Sequence, residues 1–201
     1  MAYKRFTNNL DKLHYTDKGA FDIPRLAPFI MGKIPDKWIG FNEVKSFKGD
    51  KSLTGVHFFI DDYQFERVWN SPCKYIDILK DFACVIGPDF SMYEDMPMAM
   101  QIWNLYRSMY LAKLFEASGV KVIANLMWSS RVILTDIYAR HSTLAVSSIG
   151  VRDKAKFMVD MEKIIRDIRP DKLLYFGPKI DGLSADYSYD IHRLRFGGDC
   201  Y

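Results

Sequence analysis

The sequence predicts an α/β protein whose strands and helices alternate to form a mostly parallel sheet of about six strands. Three observations carry this. Short apolar, β-prone runs recur along the chain, each ending in turn-forming or polar residues. Segments with helical spacing of apolar residues stand between them. Strands separated by helices imply right-handed crossovers, and so parallel pairing under a helical cover. An open three-layer sandwich is the first arrangement expected, and an incomplete βα barrel the alternative, since six strands fall short of an eight-stranded barrel.

In order, residues 1–37 read as an irregular arm punctuated by Pro24, Pro28 and Pro35, with room for one short helix. Residues 38–41 suit a first strand, and the polar run KSFKGDKS a solvated loop. Residues 56–60 are a second strand, ending in Asp61 and Asp62. Residues 65–80 are helical in pattern but broken at Ser71-Pro72, because proline cannot continue a helix. Residues 83–86 form a strand that breaks at Gly87-Pro88. The segment 98–118 puts Ile102, Leu105, Tyr106, Met109 and Ala112 on one helical face, and Gly119 stops it. KVIANL at 121–126 is a buried strand type, 132–140 a shorter helix, and 143–146 a strand ending at Ser147-Ser148. Asp153 caps a helix over 154–169, where Phe157, Met161, Ile164 and Ile168 recur at helical spacing. Pro170 ends it, and 173–176 is the last strand. The tail beyond about residue 181 is polar and aromatic. No interdomain linker interrupts the 201 residues, so one domain is expected.

Composition narrows the class. Hydrophobic residues make up 49% and charged residues 26% of the chain, as in ordinary soluble proteins. Net charge is +3, from 28 basic and 25 acidic residues, too balanced to demand nucleic acid as the partner. Three cysteines without paired spacing, no apolar leader at the start and no stretch of membrane-spanning length point to a cytoplasmic protein.

Parallel strands end on one edge, which is where ligands bind in such sheets. That edge collects Asp61, Asp62, Asp89, Ser91, Asn125, Trp128, Ser147, Ser148, Gly177 and Asp181. Converging acidic loops could hold a magnesium ion or supply an acid and a base. The same residue types also turn strands into loops and cap helices. Asp89 and Asp61 are the candidate catalytic groups. Ser91, Tyr93, Asn125, Trp128, Arg131 and Arg152 are the candidate ligand contacts, the arginines for an anion and the aromatic rings for stacking. His14, His57, His141 and His192 lack metal-ligand spacing, so no metal site is assigned and no cofactor is named. No nucleophile elbow, Walker-type loop or dinucleotide glycine fingerprint is present. Arg193 and Arg195 among Tyr187, Tyr189 and Phe196 form a short basic-aromatic pattern of the kind that binds single-stranded nucleic acid.

The stretch PDFSMYEDMP followed by MAMQIWNLYRSMY resembles a bacterial and phage family known as domain of unknown function four-four-one-seven. The segments VIANLMW, VSSIGVRDKAKF and LLYFGPKID are similar to it as well. The resemblance spans roughly residues 56–181. It implies a phage or mobile-element setting and a central place for the loop 88–97, and it names no activity.

Two functions remain open. One is an enzyme or ligand-binding protein taking a phosphorylated or nucleotide-like molecule at the strand edge. The other is a non-catalytic interaction protein that binds nucleic acid or a host protein.

Overall fold

Seven strands, all parallel and hydrogen-bonded in strict chain order, make one curled sheet, a half-barrel. The computed structural model describes residues 9–178, 182 and 188–191. The elements are β1 (Lys37–Gly40), β2 (Thr54–His57), α1 (Asp62–Asn70), α2 (Cys73–Lys80), β3 (Cys84–Ile86) and α3 (Met98–Ala117). There follow β4 (Val122–Asn125), β5 (Thr143–Ser147), α4 (Lys154–Ile168), β6 (Lys172–Phe176) and β7 (Ser188–Asp190). A sheet that always advances to the next strand never reverses its winding. Right-handed crossovers therefore put the helices on one face only. This decides between the two expected arrangements: the chain is the incomplete barrel, not the three-layer sandwich, and its described residues hold one strand more than the expected six.

The register sorts the side chains. Trp38 lies opposite Gly55, and Gly55 opposite Cys84; Asn125, Ala145, Leu174 and Tyr189 form a second row. These residues point to the concave face. There Trp38, Phe59, Cys84, Ile86, Ile123, Ala145, Leu174 and Phe176 make one buried cluster. Burial pushes the Cys84 thiol up to about 12, which leaves it a small hydrophobe rather than a nucleophile. The alternate residues, Val56, Val85, Val122, Leu144 and Leu173, meet the helices in a second, larger cluster.

Local chemistry sets the helix limits. Pro72 lacks an N–H, so α1 ends and α2 begins around Ser71-Pro72. Beyond α3, Gly119 turns at φ +92°, a conformation that costs a glycine little. Asp153 caps α4 by accepting from the Lys156 amide at 2.9 Å.

Two expectations need correction. Residues 132–140 do not form an α-helix; only a 3-10 turn at Thr135–Ile137 appears there. The run is rich in β-branched residues, and it is held by the N-terminal arm. Ala20 donates its amide to Asp136 at 2.9 Å, Arg25 reaches the same residue, and Ile23 and Leu26 share the cluster holding Ile137. The second correction is β7, whose sequence Ser-Tyr-Asp carries no apolar run. It pairs with β6 all the same, Leu174 opposite Tyr189. Asp181, Tyr187, His192, Arg193, Arg195, Phe196 and Cys200 lie outside the described residues.

Candidate functional site

The carboxyl ends of β2, β3, β4 and β5 open on the same rim, and the loop after β3 is the most heavily built part of it. Chain direction and the Gly87-Pro88 break lift residues 88–96 over the mouth. Gly87 permits the break's close packing: a Cβ there would stand 3.2 Å from the Ala112 Cβ of α3.

A stripe of buried polar residues on α3 then fixes the loop. Gln101 donates to the carbonyls of Tyr93 (2.9 Å) and Met96 (3.1 Å). Asn104 donates to the Ser91 carbonyl at 2.6 Å, and Ser108 accepts from the Phe90 amide at 3.3 Å. Their spacing, 101, 104 and 108, is one helical face. A polar line through a helix otherwise apolar nearly all round was the signal that could have marked them. On the other side Asp62 accepts from the Ser91 amide and, at 2.9 Å, from the Ser91 hydroxyl.

Arg107 ties the layers together. It donates to both Glu66 oxygens at 2.8 and 3.0 Å and to Asn104 at 3.1 Å, and its guanidinium lies 3.6 Å from the Phe90 ring centre. Nη1 serves both Glu66 oxygens while Nε serves Asn104, a spread of donors that a single ammonium group cannot match. Arg107→Ala is expected to cost about 2 kcal/mol, because a desolvated cation–π contact is lost along with the ion pair. Arg107→Lys should recover less than half of it. Urea denaturation of the three proteins measures both values, and equal stability of all three would refute the assignment.

Within this frame the expected site residues separate. Asp89 and Asn125 come together: the Asn125 amide nitrogen donates to the Asp89 carboxylate at 2.6 Å. Asn125 is buried on the concave face, and its own Oδ1 has no partner among the described residues. Asp89 keeps a partly accessible surface. Desolvation pushes its carboxyl up to about 6; the Asn125 bond pulls the other way, and the charge of Asp62 adds a smaller push upward. Tyr138 is raised mainly by burial, with the Asp89 charge contributing, which places its phenol within electrostatic reach.

The other candidates stand apart from that pair. Asp61 is exposed at the start of α1, and among the described residues its carboxylate accepts from Gln64, at 3.4 Å. Asp62, its neighbour, is the residue that reaches the loop. Ser91 spends its hydroxyl on Asp62. Tyr93 is exposed. Trp128 packs on Phe157 of α4, ring centres 4.9 Å apart. Arg131 donates to the carbonyls of Glu94 (3.1 Å) and Met96. Ser130 donates its amide to Glu94 at 2.9 Å, and its hydroxyl donates to the same carboxylate, with Lys156 3.4 Å away. These bonds, Ser130 first, hold Glu94 below the usual glutamate range. Arg152 is exposed beside the start of α4. Among the described residues, no group of three or more His, Cys, Asp or Glu side chains could hold a metal ion, and no helix is long and apolar enough to cross a membrane.

Comparison with known proteins adds ancestry. The family model described as Domain of unknown function (DUF4417) matches residues 15–195. The chain is 30% identical to the "Gene 1 protein" of Mycobacterium phage L5 over 174 residues, 83% of this chain and 75% of that protein. It is 29% identical to the "Gene 1 protein" of Mycobacterium phage D29 over 175 residues, 83% of this chain and 64% of that one. No solved structure matches. With nine-tenths of its length inside the family model and two phage proteins similar over 83% of it, the chain belongs to the DUF4417 family.

Proposed function

We propose that the protein binds a phosphorylated or nucleotide-like small molecule at the mouth of the half-barrel, with Asp89 as the group that exchanges a proton with it. The observation that carries this reading is the Asp89–Asn125 pair. It sits at the ends of two adjacent central strands, partly accessible, on an edge that hosts ligands in parallel α/β folds. A carboxyl pushed up to about 6 is divided between acid and base near neutral pH, as proton transfer requires. Of the candidate cations on the rim, Arg152 is the one left exposed for an anionic group, since Arg131 and Lys156 are engaged by residues 94–96. Tyr93 offers an exposed ring. Asp61 has no part in this reading, because it stands outside the pair.

A thermal-shift screen of nucleotides, sugar phosphates and divalent metal salts tests it. Ligand at a hundredfold excess over Kd stabilises by about 2.7 kcal/mol. For a chain of this size that raises Tm by about 5–10 °C. The shift is expected with a phosphorylated compound and should vanish in Asp89→Asn, each protein read against its own baseline. A shift that persists in Asp89→Asn, or none with any compound, would refute the proposal.

A further inference from the structure

Beside the mouth, the described residues leave an apolar corner exposed. Ten large apolar side chains are exposed among the described residues, and five of them share this corner: Tyr63 (79%), Tyr93 (62%), Met98 (50%), Met100 (50%) and Trp103 (40%). Their neighbourhood follows from contacts already described. Glu66 and Arg107 join α1 to α3, so Tyr63, one turn before Glu66, and Trp103, one turn before Arg107, flank that ion pair. Trp103 also meets Trp69 of α1, ring centres 5.5 Å apart. Gln101 binds the carbonyl of Tyr93, which brings that residue to the first turn of α3 alongside Met98 and Met100.

Isolated exposed apolar residues need no explanation, but a contiguous group does. Tyr, Trp and Met are also the residues that dominate the centres of protein interfaces and adapt to irregular partners.

Charge selects the partner. Residues 61–70 and 93–107 carry five acids, Asp61, Asp62, Glu66, Glu94 and Asp95, against two bases, Arg67 and Arg107, in a chain that is basic as a whole. Arg107 is spent on Glu66, Lys156 pairs with Glu94, and the Arg131 guanidinium is held by the carbonyls of Glu94 and Met96, so the acids left to a partner are Asp61 and Asp95. Asp61 and Asp95 are exposed on the rim. A phosphate backbone would meet repulsion here, whereas lysine or arginine side chains around an apolar stripe would be attracted.

We infer that this corner is the docking site of a cationic, amphipathic protein segment, its apolar face on Met100, Trp103 and Tyr63 and its basic flanks on Asp61 and Asp95. Tyr93 borders both places, but the docking contacts on Met100, Trp103 and Tyr63 do not involve Asp89 and stand whatever the mouth binds.

Fluorescence anisotropy on the full chain tests it with three labelled probes: an amphipathic leucine/lysine helical peptide, its leucine/glutamate twin, and oligothymidine. The lysine peptide is expected to bind about tenfold tighter than the glutamate twin, and less tightly as salt rises. Tyr63→Ser/Met100→Ser, exposed positions that leave the melting temperature in place, should weaken it about tenfold. Asp95→Lys should weaken the lysine peptide alone. Equal binding of the two peptides would overturn the inference. So would oligothymidine binding abolished by Tyr63→Ser/Met100→Ser, or self-association of the parent that the same double variant removes.

Discussion

Gly55→Ala is expected to destabilise the protein by about 3 kcal/mol, near the top of the range for overpacked cores. The reason is the opposing indole. A Cβ on Gly55 would stand 2.5–2.7 Å from three atoms of the Trp38 ring, well inside contact distance. The ring cannot retreat cheaply, because Trp38 is fully buried and donates its indole N–H to the Pro35 carbonyl at 3.1 Å. The concave face of a half-barrel narrows toward its axis, so a large side chain on one strand needs a small one on the next. Glycine is that partner here. For a chain of this length the loss corresponds to a fall in Tm of about 6–12 °C. Trp38→Phe in the same background should return part of it, giving a coupling energy that a double-mutant cycle resolves. A Gly55→Ala protein within about 0.5 kcal/mol of the parent would show that the ring moves freely.

That pairing shows what a sequence discloses and what it hides. β1 is legible from its apolar, β-prone run, β2 only in part, since the expected strand at 56–60 instead runs over Thr54–His57, and α4 is legible from Asp153 and the recurrence of Phe157, Met161, Ile164 and Ile168. Nothing in the two strands says that Trp38 and Gly55 are opposite one another; only the register does. The same limit applies to β7. Three residues, two of them polar, cannot announce a strand, and their pairing is stabilised by the edge that β6 already presents. At 132–140 the apolar content misled for a related reason: burial there is set by the N-terminal arm, more than a hundred residues away in sequence.

At the candidate site, Asp89 and Asn125 could be placed on one rim from strand ends alone, and the structure brings them into contact. The acidic pair Asp61-Asp62 was ambiguous, since adjacent residues at a helix start point in different directions. The first helical turn gives the loop to Asp62 and leaves Asp61 in solvent. The arginines were visible as cations. That the Arg131 guanidinium would be taken up by backbone carbonyls follows only from the loop's path. Most of the polar chemistry around residues 88–97 therefore builds the loop, and Asp89 is the exception that gains least from its surroundings.

Asp89→Asn is expected to raise stability by about 2–3 kcal/mol at pH 8 and to leave it unchanged below about pH 3.5. The sign follows from the direction of the shift. Its folded-state value, about 6, lies above the ordinary 3.8, so the native state holds the proton more tightly than the unfolded chain does. Stability then falls as pH rises from 3.8 through 6, and the penalty is complete above 6. Asparagine carries no charge to desolvate, and its carbonyl can still accept from Asn125 at 2.6 Å. The parent's partly accessible Asp89 sets 3 kcal/mol as the upper figure. Chemical denaturation of both proteins at pH 3.5, 5, 6.5 and 8 reads the difference directly. A residue kept at a cost to stability is one that selection holds for another purpose, which is how functional sites differ from scaffolding. If Asp89→Asn instead lost the same amount at every pH, the carboxylate would be a structural peg like Asp62. The proton-exchange role proposed for the mouth would fall with it.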